Sequence, residues 1–430
     1  MNNAVYDFLK KYNMNSDALD MEKSCDDFVE QMKDGLAGNI KSMLMLPTYI
    51  GVGEQVEAGQ KVIVLDAGGT NLRSAVVSFD DNGKAIIEQF NKVPMLGTQG
   101  ELTCDEFFDG FADIIAPFEG QSDTVGFCFS FPVEALPNCD GKIMYLSKEV
   151  KVKDINDKIL GEGINNSLVK KGLTPKKFVI INDTVATMLG AMAEKSDKQY
   201  DSYLGFILGT GTNTCYIEEN KNITKVKNLP DGKMVINMEC GNFDGFNRGE
   251  IDRMFDKTTI TEGRQKYEKM VSGAYQGGVI LATLKQAAQD GLFSEKTAQN
   301  ILNTDQLTMY MIDCFCAQPD GDNFISDLAA TQQDKAFIFD IIDDSFERAA
   351  KAVTVNLGGI LLCTGNGTDK QKPVCVSAEG TTFYKSVLFR PKLDKYVKEF
   401  LNDKKGVYLD FVKAEDSTLI GSAVAGLCNR

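Results

Sequence analysis

Two short glycine turns, each set between apolar strands, constrain this chain more than any other feature. The first, Asp66-Ala67-Gly68-Gly69-Thr70-Asn71, follows the continuous apolar run Val62-Ile63-Val64-Leu65. The second, Gly209-Thr210-Gly211-Thr212-Asn213, follows an apolar run over residues 203–208. A short apolar run bounded by a turn signal reads as a buried strand. After the first turn, residues 72–79 run back and residues 84–90 supply a third strand. After the second, residues 214–218 run back and residues 234–238 do the same. Strand, glycine turn, strand, strand thus occurs twice, roughly 140 residues apart, which is repetition at the scale of a domain. Each copy is followed by helical and strand patterns. Residues 102–118, 184–193, 268–291, 337–362 and 421–427 have helical spacing, and residues 124–129, 178–181 and 374–377 read as strands. The expectation is a duplicated α/β unit. Ahead of the first copy, residues 21–45 read as one helix ended by Pro47, with a glycine-marked loop after it.

Composition excludes several kinds of chemistry. The chain has 430 residues, no histidine and no tryptophan. Serine–histidine triads, histidine–zinc sites and imidazole bases are therefore absent, and proton transfer falls to Asp, Glu, Lys, Tyr or Cys. A net charge of −15 argues against nucleic acid or an anionic membrane as partner. Eleven dispersed cysteines, with no C-x-x-C pair, read as reduced thiols in a cytoplasmic protein. Residues 1–20 show no leader pattern, and Val5, Phe8, Leu9 and Tyr12 make one helical face expected to pack on the protein itself rather than on a membrane.

A glycine turn at the end of a strand presents several backbone N–H groups to an anion. Either turn alone is an ordinary hairpin connection, but two at matching places can pinch a polyphosphate between them. Asp66, at a strand end, is placed to hold Mg²⁺ through water, because Mg²⁺ needs only one or two carboxylates beside phosphate oxygens. Asn182-Asp183-Thr184 closes an apolar strand and opens a helix. A carboxylate there either caps the helix or serves as general base toward a hydroxyl. Lys148 is either a solvated loop lysine or the cation on a migrating phosphoryl group.

At these residues the chain resembles the hexokinase family. The matching segments are Leu46-Pro47-Thr48-Tyr49, residues 66–73 (DAGGTNLR), Ser130-Phe131-Pro132-Val133, Ser147-Lys148, residues 182–187 (NDTVAT), residues 208–216 (LGTGTNTCY), Ile236-Asn237-Met238-Glu239 and residues 267–273 (YEKMVSG). Looser matches follow at residues 356–359, 379–381 and 415–421. The resemblance implies a two-lobed, actin-like (ribonuclease H-like) hexokinase fold, with duplicated mixed-sheet α/β domains and an interdomain cleft. Residues 60–182 with 419–430 would form the small lobe, and residues 1–59 with 183–418 the large one. It implies transfer of the γ-phosphoryl of ATP, with Mg²⁺, to the 6-hydroxyl of a hexose, most simply glucose. Asp183 would be the base and Lys148 would stabilise the transferring charge. Ser130, Phe131, Pro132, Ser147, Lys148, Asn182, Asn213 and Glu239 would form the sugar site. Asp66 would hold hydrated Mg²⁺, and Gly68, Gly69, Thr70, Asn71, Gly209, Thr210, Gly211, Gly358, Thr381 and Thr418 would line the nucleotide, with Thr304 and Thr308 as further candidates.

The chain departs from the family pattern in places. Cys240 follows Glu239 where the family usually has Trp, and Glu379 replaces an Asp in the late turn, which has one residue more, Thr381-Thr382. The resemblance also places a second sugar-binding glutamate at position 278, where this chain has Gly278. Loss of a buried hydrogen-bonding carboxylate would weaken or redirect sugar recognition. Two alternatives are therefore carried forward: a kinase with shifted sugar specificity, and a sugar-binding regulatory protein without turnover.

Overall fold

The computed structural model describes residues 1–53, 56–146, 150–194, 196 and 198–429. The chain enters through a helix, Asn3–Lys11, whose Val5, Phe8 and Leu9 are buried against the rest of the protein. The next helix, Met21–Ala37, stops earlier than its periodicity suggested. Gly38 terminates it in the left-handed conformation (φ 91°), and strand β1 (Leu46–Gly51) follows in place of a loop. This strand escapes a local reading because its hydrogen-bonding partner is distant in sequence: Leu46 pairs with Asn237 and Pro47 with Ile236. Pro47 is tolerated because β1 lies at the sheet edge.

The first glycine turn then organises one sheet. β2 (Val62–Ala67) and β3 (Asn71–Phe79) pair antiparallel around it, and β4 (Ala85–Pro94) completes the meander. β5 (Thr124–Phe129) pairs parallel to β2; after the small hairpin of β6 (Val133–Ala135) and β7 (Gly141–Ile143), β8 (Lys177–Ile181) pairs parallel to β5. The order is β4-β3-β2-β5-β8. β2 and β5 are buried along their whole length, which is why they read as unbroken apolar runs rather than alternating ones.

The second turn repeats the plan. β9 (Tyr203–Leu208), β10 (Thr212–Glu219) and β11 (Lys233–Asn237) form the meander, and β12 (Val374–Glu379) and β13 (Leu409–Val412) add in parallel. The order is β11-β10-β9-β12-β13, with β1 appended beside β11. Strand by strand this matches the first sheet. The helix expected over residues 268–291 is two helices, Glu268–Val271 and Gly273–Gln289. They break at Ser272, where the Gly273 N–H donates to the Gly209 carbonyl at 2.8 Å and docks the second helix on the glycine turn.

Each half sends its last helix across to the other sheet. The helix Asp183–Ala193 follows β8 but packs on β9, and the C-terminal helix Ser417–Cys428 follows β13 but packs on β5 and β2. Glycine permits both seats. A Cβ at Gly205 would lie 2.2 Å from the Thr184 carbonyl oxygen, and one at Gly126 would lie 1.9 Å from that of Ser422. The two helices also cross each other without side chains between them. A Cβ at Gly190 would sit 2.4 Å from the Ser417 carbonyl oxygen, and one at Gly421 would sit 1.8 Å from that of Ala186. We expect Gly421→Ala to force the helices apart and lower unfolding free energy by about 3 kcal/mol or more, at the upper end for an overpacked core. Urea denaturation beside Ala423→Gly, a neighbouring buried position on the same helix, measures this.

Candidate active site

The crossing brings the N-termini of both helices to the cleft between the lobes, where two adjoining cavities of about 560 and 670 Å³ lie. Gly69, Thr70, Ser130, Asp183 and Ile207 line both. Asp183 opens its helix, but the cap is its neighbour: the Asn182 side chain accepts the Thr184 N–H at 2.9 Å. Asp183 also accepts from that N–H, at 2.8 Å, while its half-buried carboxylate faces the two cavities. Asn182 and Asp183 thus share the first-turn N–H, and Asp183 in addition lines both cavities.

The larger cavity gathers Phe131, Pro132, Asn182, Asn213 and Glu239 with Ser130 and Asp183. A chain of amides orients it. The Asn213 amide donates to Asn237 Oδ1 at 2.7 Å, and the Asn237 amide donates to Glu239 Oε1 at 2.9 Å. Glu239 itself adopts a left-handed backbone (φ 52°), a conformation a non-glycine residue keeps only where its surroundings enforce it. Burial pushes the Glu239 carboxyl up; the Asn237 hydrogen bond opposes this and the Asp183 charge adds to it.

Sequence reasoning missed Glu268, Gln265 and Tyr275, which line the same cavity. Glu268 accepts the Thr212 N–H at 2.9 Å. Burial, with the Glu239 charge, pushes its carboxyl up to about 7, against that hydrogen bond and the neighbouring Lys269 charge. Its place within the matched segment 267–273 was the available signal. Gly278, by contrast, packs on Phe255, whose ring a Cβ there would meet at 2.5 Å. The resemblance set the place of a second sugar carboxylate at position 278, but Gly278 packs on a ring and does not line the cavity, whose second acid is Glu268.

The smaller cavity is lined by Asp66, Gly68, Asn71 and Thr418 as anticipated, and also by Arg73, Glu379, Gly380, Asp416 and Ser417. Asp66 is buried; Arg73 and the Thr418 hydroxyl both reach its Oδ2, the latter at 2.9 Å. Hard oxygen ligands, hydroxyls and the Gly68–Gly69 turn together suit a hydrated Mg²⁺–polyphosphate.

Several expected nucleotide contacts are placed elsewhere. Gly358 is buried within the long helix Gln332–Thr364 against Leu401, where helix packing requires a small residue. Thr210 and Gly211 line the larger cavity rather than the smaller one. Gly209 is buried beneath it, its carbonyl taking the Gly273 N–H and, at 3.0 Å, the Thr382 hydroxyl. Thr381 is exposed one residue past the cavity wall, which Glu379 and Gly380 form. Thr304 bonds the Asn300 carbonyl, and Thr308 caps the helix Met309–Ala317; neither lines the two cavities. Ser147 and Lys148 lie outside the described residues. Among the described residues there is no disulfide, and no helix is long and apolar enough to cross a membrane.

Known proteins show the same organisation. Two profiles of the family described as Hexokinase match this chain, one over residues 4–193 and the other over residues 203–428. Hexokinase-2 of Oryza sativa is 28% identical over 94% of this chain and 87% of its own length. Hexokinase-2 of Homo sapiens is 28% identical over 92% of this chain, which spans 45% of the human protein. A hexokinase from Schistosoma mansoni, solved with glucose, superposes with a TM-score of 0.78 at 22% identity and 98% coverage of each chain.

The raised Glu268 carboxyl has a consequence for stability. Its folded value, about 7, lies above the ordinary 4.5. The associated stabilisation is full below pH 4.5 and is lost as pH rises through 7. Wild-type unfolding free energy should therefore fall relative to Glu268→Gln between those pH values, by on the order of 2 kcal/mol, as read by denaturant titration at each pH.

Proposed function

The chain belongs to the hexokinase family and is a sugar phosphotransferase, and from that premise we propose that it transfers the γ-phosphoryl of MgATP to the 6-hydroxyl of a hexose, with glucose the first candidate. One observation carries this reading: the Asp183 carboxylate lies on the wall shared by an acid- and amide-lined cavity and a glycine- and hydroxyl-lined one. A sugar needs the first, because carboxylates and amides satisfy its hydroxyls. A polyphosphate needs the second.

In this arrangement Glu239, Glu268, Asn213 and Asn182 hold the sugar and point one hydroxyl at Asp183. Asp183 accepts the hydroxyl proton as the oxygen bonds to the γ-phosphorus and the bond to the leaving ADP oxygen breaks. The Gly68–Gly69 turn, Thr70 and Thr418 cradle the phosphates, and Asp66 would hold Mg²⁺ through water. When bound, Mg²⁺ neutralises charge on the phosphate oxygens. Lys148 is assigned the transferring charge by resemblance. Residues 60–182 with 419–430 close as one lobe on the remainder and exclude water, which protects ATP from hydrolysis.

Glu268 gives the cavity a second acid beside Glu239, which supports glucose over a shifted sugar preference, and an enzyme family speaks against a purely regulatory role. Asp183→Asn should lower kcat by about 10²-fold or more with hexose binding retained within a few-fold. Coupled ADP-release kinetics over a hexose panel, with calorimetry of sugar binding, read both quantities. Near-wild-type turnover in the variant would remove Asp183 from the role of base.

A further inference from the structure

Behind the sugar-side cavity lies a buried ionic cluster whose members all sit in the second lobe. Lys269 follows Glu268 and is 2% exposed. Its ammonium pairs with Asp256 Oδ1 and donates to the Thr261 carbonyl at 2.7 Å. Asp256 is itself buried; burial pushes its carboxyl up, and the Lys269 hydrogen bond and the Arg248 charge outweigh that and leave it below its ordinary value. Both Asp256 oxygens also accept the Gly263 N–H at 3.3 Å. Burying an ion pair is unfavourable unless additional hydrogen bonds satisfy both partners, and here the bonds that do so come from the segment between them, at Thr261 and Gly263.

What the cluster holds is one wall of the cavity. The segment between Asp256 and Lys269 contains no long helix or strand. It is tied at Thr261 and Gly263 to the two charges, and it carries Gln265 into the cavity in a left-handed backbone conformation (φ 53°). The Lys269 N–H donates to the Gln265 carbonyl at 3.0 Å. The Lys269 ammonium stands 5.8 Å from the centre of the Tyr275 ring, and the Tyr275 hydroxyl lies 3.4 Å from Thr261 Oγ1 and 3.5 Å from Gln265 Oε1. Three cavity residues thus adjoin Lys269: Gln265 through the Lys269 backbone N–H, Tyr275 through its ring beside the ammonium, and Glu268 as its chain neighbour.

Resting on the sugar-kinase reading above, we propose that Lys269, locked by Asp256, is a positioning residue for sugar recognition: it fixes the Gln265–Glu268–Tyr275 wall and sets a cation directly behind the carboxylate that receives a sugar hydroxyl. The charges acting on Glu268 are Lys269 on its own helix and Glu239 beyond β11, and the Thr212 N–H bonds it; the Tyr145 phenol, in the segment after β7, feels Glu239, Arg264 and Glu268 in turn. Of these, Lys269 is the cation that favours the ionised form.

The test compares Lys269→Met and Asp256→Asn. In the first, Asp256 keeps Arg248 as partner; in the second, Lys269 keeps the Thr261 carbonyl. Each should raise the glucose KM about tenfold, with the ATP KM changed less than about twofold. The acidic limb of kcat/KM for glucose should move in opposite directions: to higher pH in Lys269→Met, which removes the cation, and to lower pH in Asp256→Asn, which leaves the cation uncompensated. A scaffold role alone would leave the limb where it is in both, and that result, or an unchanged glucose KM, overturns the proposal. If one variant does not fold, the other still carries its own direction of shift. Calorimetry of glucose with the wild-type chain separates this from failure of the parent reading, since a wild type that binds no hexose sinks the latter first.

Discussion

Everything at the cleft depends on the contact between two helices that cross backbone to backbone. Gly190 faces the Ser417 carbonyl and Gly421 faces that of Ala186 at distances no side chain could share. Each helix also sits on the sheet of the opposite half through a glycine in that sheet, Gly205 or Gly126. The exchange has two consequences. It ties the halves together through main-chain atoms, and it delivers both helix N-termini to one cleft, one bringing Asp183 and the other Ser417 and Thr418. With a thicker interface these groups would stand too far apart to line one cavity.

The two cavities divide the chemistry along this line. On one side, burial above all pushes the Glu239 and Glu268 carboxyls up; the Asp183 charge adds to the first and the Glu239 charge to the second, each against a hydrogen bond. Such a site favours a ligand that donates hydrogen bonds, as a polyol does. On the other side, hydroxyls, a glycine turn and Arg73 surround Asp66, a set suited to phosphate oxygens. Asp183 stands where the two meet.

Legibility in the sequence followed the range of the interaction. The two meanders were readable because buried strands and glycine turns leave contiguous marks, and the duplicated strand order followed from them. β1 was not readable, since its partner β11 lies far along the chain and its Pro47 mimics a helix stop. Asn182, Asp183, Asn213 and Glu239 were found because each lies in a motif at a strand end. Glu268 lay inside a quoted motif, but its helix reads as ordinary amphipathic packing, and only the fold turns that face toward Glu239. Gly358 failed for the converse reason: a glycine in a helix marks close approach, and here the neighbour is Leu401.

The sequence by itself determined the class of fold, the two glycine turns and the identity of an acid at a strand–helix junction, because strand burial, turn geometry and helix initiation are settled by neighbours a few residues away. Tertiary structure alone decided which carboxylate joins Glu239 and what stands behind Glu268. Those outcomes depend on which surfaces meet when distant segments pack, and on the burial and neighbouring charge that result.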